Sequence, residues 1–191
     1  VLRGPQSAVY GANAIAGAIN IVTREPTDEF AGRIIAEYAK GDDKRIQGSF
    51  SGPLIAGLLR FRVQVEGRDS DGLIDSASNG RDLDFAKEFR TRGQLSFTPG
   101  DRLSLTLLGE YNKTRSGATY QGKIADRADL DRFTGDDGPR RRLIGEEKRE
   151  LYRFSLRGNY DFGAAELISV TAYSRSTQTT DSSLCYDGPD D

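Results

Sequence analysis

From Phe30 onward apolar and polar side chains alternate with a period of two, the mark of strands whose two faces meet different surroundings. Seven strands are predicted, over residues 32–40, 45–52, 58–68, 89–98, 102–113, 151–162 and 166–178. In the third, Leu59, Phe61, Val63 and Val65 alternate with Arg60, Arg62, Gln64 and Glu66. In the sixth, Tyr152, Phe154, Leu156, Tyr160 and Phe162 alternate with Arg153, Ser155, Arg157, Asn159 and Asp161. Ile34, Ala36 and Tyr38 share a face of the first strand, and Ile46 and Phe50 one of the second. Leu95 and Phe97 oppose Arg92, Gln94 and Ser96 in the fourth, and Leu103, Leu105, Leu107 and Tyr111 line one side of the fifth. The seventh has no clear facing, because Ile168, Val170 and Ala172 compete with Leu167 and Tyr173.

Most of these segments run longer than the roughly 5–6 residues of a soluble strand. They match the about 9–11 residues that a tilted strand needs to cross a bilayer. The connections agree. Residues 53–57, 99–101 and 163–165 are short links on one end of the sheet, whereas residues 69–88 and 114–150 are long loops on the other. Only residues 41–44 break the pattern on the long side. Bacterial outer-membrane barrels have tight inner turns and long outer loops, and a sandwich has no reason to sort its loops so. The faces fit as well: Arg60, Arg62, Arg153 and Arg157 belong in a wet lumen, and Phe61, Phe97, Phe154 and Tyr160 against lipid. The expected fold is therefore all-β, an antiparallel transmembrane barrel. A soluble β-sandwich with one wet face shares the periodicity and is the competing architecture.

Charged residues make up 29% of the chain, yet they are spread through it and 17 Phe and Tyr recur among them, which argues against disorder. A net charge of -2 gives a nucleic-acid partner no bulk support. No apolar run is long enough for a spanning helix, a fact that leaves barrels open. With no His there is no catalytic triad, no carboxylate pair has an acid–base arrangement, and an enzyme is not expected. No cofactor or metal is expected either. The single Cys185 lacks a partner within the chain. Val1 is neither an initiator methionine nor the start of a signal peptide, so a piece of a longer product is expected.

The first 27 residues are different, rich in Gly and Ala and poor in charge. Ser7 is placed to cap a helical turn that stops at Gly11, residues 19–23 read as a short β-branched strand, and Pro26 breaks the chain. Val1-Leu2-Arg3-Gly4-Pro5-Gln6-Ser7-Ala8-Val9-Tyr10-Gly11 resembles the late plug motif of the TonB-dependent receptors. Gly17-Ala18-Ile19-Asn20-Ile21-Val22-Thr23-Arg24 resembles the block that follows it and leads into the barrel. Ala16 departs from the second Gly common before Gly17 in that family.

The resemblance implies residues 1–28 as the C-terminal end of a plug and residues 29–191 as the first part of a barrel of about 22 strands around that plug. It implies plug or plug–barrel roles for Arg3, Gly4, Pro5, Tyr10, Gly11, Gly17 and Asn20, with Arg3 paired to carboxylates of later strands. The implied function is active uptake of a scarce nutrient, foremost a ferric siderophore, across the bacterial outer membrane. The implied partners are the TonB–ExbB–ExbD complex, outer-membrane lipid and the ferric chelate. A passive porin or a barrel enzyme is the alternative within the membrane.

In the long loop, nine positive charges nearly balance eight negative ones over residues 114–150, which suits a solvated loop. Tyr120, Arg140, Arg141 and Arg142 are the candidates there for contact with an anionic chelate. Gly117 to Lys123 has phosphate-loop spacing, but Ile124 stands where magnesium requires Ser or Thr. Asn112-Lys113-Thr114 matches a glycosylation acceptor by chance, and the acidic stretch after Tyr186 reads as a loop tip.

Overall fold

The computed structural model describes residues 2–3, 17–18, 23–75, 82–117 and 145–181. Two short strands, β1 (Leu2–Arg3) and β2 (Gly17–Ala18), pair antiparallel. The rest is one antiparallel meander of seven strands: β3 (Ala31–Ala39), β4 (Asp43–Ile55), β5 (Leu59–Ser70), β6 (Ala86–Phe97), β7 (Leu103–Gly117), β8 (Glu146–Asp161) and β9 (Glu166–Asp181). Each strand pairs with its neighbours in sequence, so every connection is a simple reversal at one end or the other. Turn glycines make the tight reversals possible: Gly100 and Gly163 both adopt positive φ in the links before β7 and β9.

The register sorts the side chains into two faces. Outward on β5, β6, β7 and β8 lie rows such as Phe61–Leu95–Leu107–Leu156 and Leu59–Phe97–Leu105. On the other face Arg62 meets Gln94, and Thr106 meets Arg157. The seventh predicted strand is settled by its neighbour. Leu167 lies opposite Tyr160 and Tyr173 opposite Phe154, so Ile168, Val170 and Ala172 lie on the arginine face.

Burial runs opposite to that of a soluble domain. Among the described residues the only buried hydrophobic side chain is Leu83, while Ser51, Ser70, Gln94 and Ser96 are buried polar ones. Large apolar groups such as Ile34, Val63, Leu107, Phe154 and Leu156 are exposed on one face. An apolar sheet face of this extent cannot stay in water. On β7 it runs from Leu103 to Tyr111, about 27 Å along the strand and roughly 20 Å in height at the usual tilt. That approaches the about 25 Å apolar band of an outer-membrane barrel.

Aromatic side chains edge this band. On the long-loop side the rings of Phe89 and Tyr111 lie 6.3 Å apart, and those of Tyr111 and Tyr152 4.8 Å apart. On the short-turn side Phe30 stacks on Phe50 at 5.8 Å, Phe50 meets Phe61 at 5.6 Å, and Tyr160 meets Phe162 at 4.6 Å. Such girdles sit at headgroup level, where an amphipathic ring has lipid on one side and water on the other. Just past the upper girdle the outward face turns charged, with Lys87 paired to Asp69, Lys113 to Glu150 and Arg115 to Glu146.

The strands outrun their predicted ends. β5 continues to Ser70, β6 starts at Ala86, β7 reaches Gly117 and β8 starts at Glu146, so both long loops are shorter than the apolar pattern suggests. Those cross-strand ion pairs replace apolar pairs, and the ladder goes on after the hydrophobic signal has stopped. β4 also runs on through Pro53 to Ile55, where a link was expected; the register shifts between Pro53 and Ile55, and such a bulge near a strand end tolerates proline. The short strand expected over residues 19–23 differs too: β2 is Gly17–Ala18, Thr23 lies outside any strand, and residues 19–22 lie outside the described residues, as does the turn between Ser7 and Gly11.

Candidate functional site on the polar face

The segment before β3 is fastened to the polar face. Thr27 donates its backbone N–H to the Ser51 hydroxyl oxygen at 2.9 Å, and Ser51 donates to the carbonyl of Phe61 at 2.9 Å. Asp28 accepts from the Arg60 guanidinium at 3.2 Å, and Pro26 is buried. Ser51 is the one fully buried side chain among the described residues, so its hydroxyl must be satisfied where it is. Ser51→Ala is expected to destabilise this attachment by about 1–2 kcal/mol. The check is amide exchange of Thr27, which speeds up if the bond matters and stays constant if it does not.

Farther toward the long loops the polar face carries a network of alternating charge. Glu66 lies between Arg45 and Arg90, Glu88 between Arg68 and Arg90, and Glu110 between Arg92 and Arg153. Arg45 also reaches Glu37 at 3.6 Å, and Arg68 holds Asp43 through two nitrogens, at 3.0 and 2.7 Å. Glu66 and Glu110 each serve two arginines from the strands on either side, Glu88 serves Arg68 of β5 and Arg90 of its own strand, and the network ties β3 to β8 laterally. The glutamates are more covered than the arginines above them: the side chains of Glu66, Glu88 and Glu110 are 15, 12 and 14% exposed. Of this network the sequence placed Arg153 in the lumen, and Glu66 and Arg92 only on the polar sides of their strands. The alternation of polar residues placed the arginines on one face, but the partner of each depends on register.

At the long-loop rim, residues 71–75 fold back onto the sheet. Asp71 and Gly72 donate to the carbonyl of Gly41 at 3.0 and 3.1 Å, and the Asp84 carboxylate accepts from the N–H groups of Leu73 and Ile74. Burial, with Asp71 and Asp75 nearby, pushes the Asp82 carboxyl above its ordinary range. The Lys44 ammonium beside Asp42 holds that carboxyl below it.

Of the residues singled out in the sequence, Arg3 and Gly17 face each other across the β1–β2 pair, so the two motif blocks are joined by backbone pairing. Gly4, Pro5, Tyr10, Gly11 and Asn20 lie outside the described residues, as do Tyr120, Arg140, Arg141, Arg142 and Cys185.

No family model matches the chain. Among curated proteins it is 27% identical over 186 residues to the probable TonB-dependent siderophore receptor PirA of Acinetobacter baumannii, covering 88% of this chain and 24% of that protein. It is 30% identical over 188 residues to the ferric enterobactin receptor PirA of Pseudomonas aeruginosa, with the same coverage of 88% and 24%. The solved ferric yersiniabactin uptake receptor FyuA from Yersinia pestis superposes with a TM-score of 0.72 at 25% identity, over 95% of this chain and 29% of that one. The chain belongs to the TonB-dependent receptors. It spans about a quarter of the length of the curated relatives it matches. The competing sandwich falls away, and this TonB-dependent receptor chain resides in the bacterial outer membrane. Its meander is a section of barrel wall, with one apolar face and one face that carries the charge network.

Proposed function

We propose that the whole protein is an active-uptake receptor whose cargo is a ferric siderophore, driven by the TonB–ExbB–ExbD complex of the inner membrane. The observation that carries this reading is the pairing of a lipid-type band with a lumen face built from arginine and carboxylate, to which the segment before β3 is fastened. The likeness to receptors named for ferric enterobactin and ferric yersiniabactin supports the cargo class. In this reading residues 1–28 end the plug and residues 29–191 begin the wall, which the aromatic girdles set in outer-membrane lipid. Arg3, Gly4, Pro5, Tyr10, Gly11, Gly17 and Asn20 form the plug's last turns and its contact with the barrel.

The physical logic is that a polar plug–wall interface can exchange its hydrogen bonds with water. A plug pulled from the periplasm therefore slides or rearranges without exposing an apolar core. The wall does not follow, because its strands are cross-linked by the Glu66, Glu88 and Glu110 bridges. The test is uptake of iron-55 by cells making the intact protein in place of their own receptors. Uptake of a ferric siderophore should cease when TonB is deleted or the proton gradient is collapsed; uptake at an unchanged rate would sink the reading.

Tyr120, Arg140, Arg141 and Arg142 are assigned to first contact with the chelate in the outer loop. Replacing the three arginines by alanine should weaken binding at the cell surface about tenfold or more for each one that touches the chelate, since charge-assisted contacts of this kind carry about 1.5–3 kcal/mol each. Unchanged affinity removes them from the site.

A further inference from the structure

We infer that the base of the first long loop is a latch, closed on the long-loop rim, that joins three outer connections into one opening unit. Residues 71–75 and 82–85, which leave β5 and enter β6, form a short ribbon of their own. Leu83 donates to the carbonyl of Ile74 at 2.8 Å, and Asp75 bridges Asp82 antiparallel. One end of the ribbon holds the turn between β3 and β4, where the Gly41 carbonyl accepts from Asp71 at 3.0 Å and from Gly72 at 3.1 Å. The other end holds the close of β7, where Gly117 donates to the carbonyl of Phe85 at 3.0 Å. Between them the Asp84 carboxylate accepts from Leu73 at 3.0 Å and from Ile74 at 2.9 Å. Leu83 beside it is the one buried apolar side chain among the described residues.

The fit leaves no slack at either end. A Cβ on Gly41 would strike the Gly72 carbonyl, one on Gly72 the Asp84 carboxylate, and one on Gly117 the Leu83 carbonyl. A meander brings together only strands that are neighbours, and β5 and β6 stand between the β3–β4 turn and β7. The ribbon therefore links two places that the sheet itself keeps apart. Its centre is one carboxylate and one buried leucine, far less than holds the ladder beneath it. When Asp84 lets go, Leu73 and Ile74 lose their acceptor, the Ile74–Leu83 bond loses its seat, and the contacts at both ends go with it. Such a unit opens in a single step at lower cost than the sheet. The second long loop begins after Gly117, so a pull on that loop is carried through the latch to the β3–β4 turn. The coupling holds whatever cargo the receptor takes.

The test is amide hydrogen exchange of the intact receptor in detergent, resolved to single amides. In the native protein the protection of Asp71, Gly72, Leu83 and Gly117 should agree within about tenfold, because all four wait on one opening. A wider spread overturns the latch. Asp84→Ala should speed exchange at all four by about tenfold or more, since it removes two charge-assisted bonds, and leave the β6–β7 ladder unchanged. Acceleration confined to Leu73 and Ile74 makes Asp84 a local contact, and the proposal falls. Gly117→Ala, at one end, should speed Asp71 and Gly72 at the other; unchanged rates there overturn the coupling. If neither variant folds, the native comparison alone decides.

Discussion

Leu107→Arg should lower the stability of the intact receptor in lipid vesicles by about 2–4 kcal/mol, whereas the same replacement one residue on, Leu108→Arg, should cost less than about 1 kcal/mol. Leu107 faces outward between Leu95 and Leu156, near the middle of the apolar band. An arginine there must enter hydrocarbon or drag water after it. Leu108 lies on the lumen face between Gln94 and Ser155, with Glu110 two residues along the strand on the same side. An arginine at that position finds water and a carboxylate. Urea midpoints of the two variants measure the difference. Equal losses would mean that both faces meet the same medium, and the lipid assignment of the band would be wrong.

Arg68→Met should cost about 1–2 kcal/mol. Arg68 holds Asp43 at 3.0 and 2.7 Å and reaches Glu88 at 3.1 Å, joining β4, β5 and β6 in one place. Without it Glu88 keeps Arg90, but Asp43, with a side chain only 22% exposed, loses its partner. A fully buried pair broken in this way costs about 3–5 kcal/mol; water in the lumen lowers that figure. A double-mutant cycle separates the causes. Adding Asp43→Asn to Arg68→Met should recover part of the loss, because the orphaned charge is gone. If the two losses simply add, the pair contributes nothing and the wall is held by its backbone ladder alone.

The sequence made the strands legible wherever lipid demands an apolar residue at every second position. β5 and β8 show this most plainly, through Leu59 to Val65 and Tyr152 to Tyr160. Above the upper girdle the strands continue, but the outward residues of β6 and β7 are Lys87 and Lys113, with carboxylates opposite, and Arg115, with Glu146 diagonally across. Charge in those positions looks like loop until the pairing is known. β9 failed for the opposite reason, since both of its faces carry apolar residues and only the neighbours Tyr160 and Phe154 decide between them. The bridging glutamates were hidden in a different way. Glu66, Glu88 and Glu110 are ordinary polar positions within their own strands, and each becomes a bridge only through what the register sets beside it.

The charged extension of the strands has a consequence at the cell surface. From Tyr111 to the end of β7 at Gly117 the wall continues for about 20 Å, or roughly 15 Å in height at the usual tilt. That collar of paired lysine, arginine, aspartate and glutamate is still ladder-bonded, up to Ser70 opposite Ala86 and Gly117 opposite Glu146. Both long loops therefore spring from a rim that the backbone holds fixed well beyond the last apolar row, so whatever moves in them moves above it.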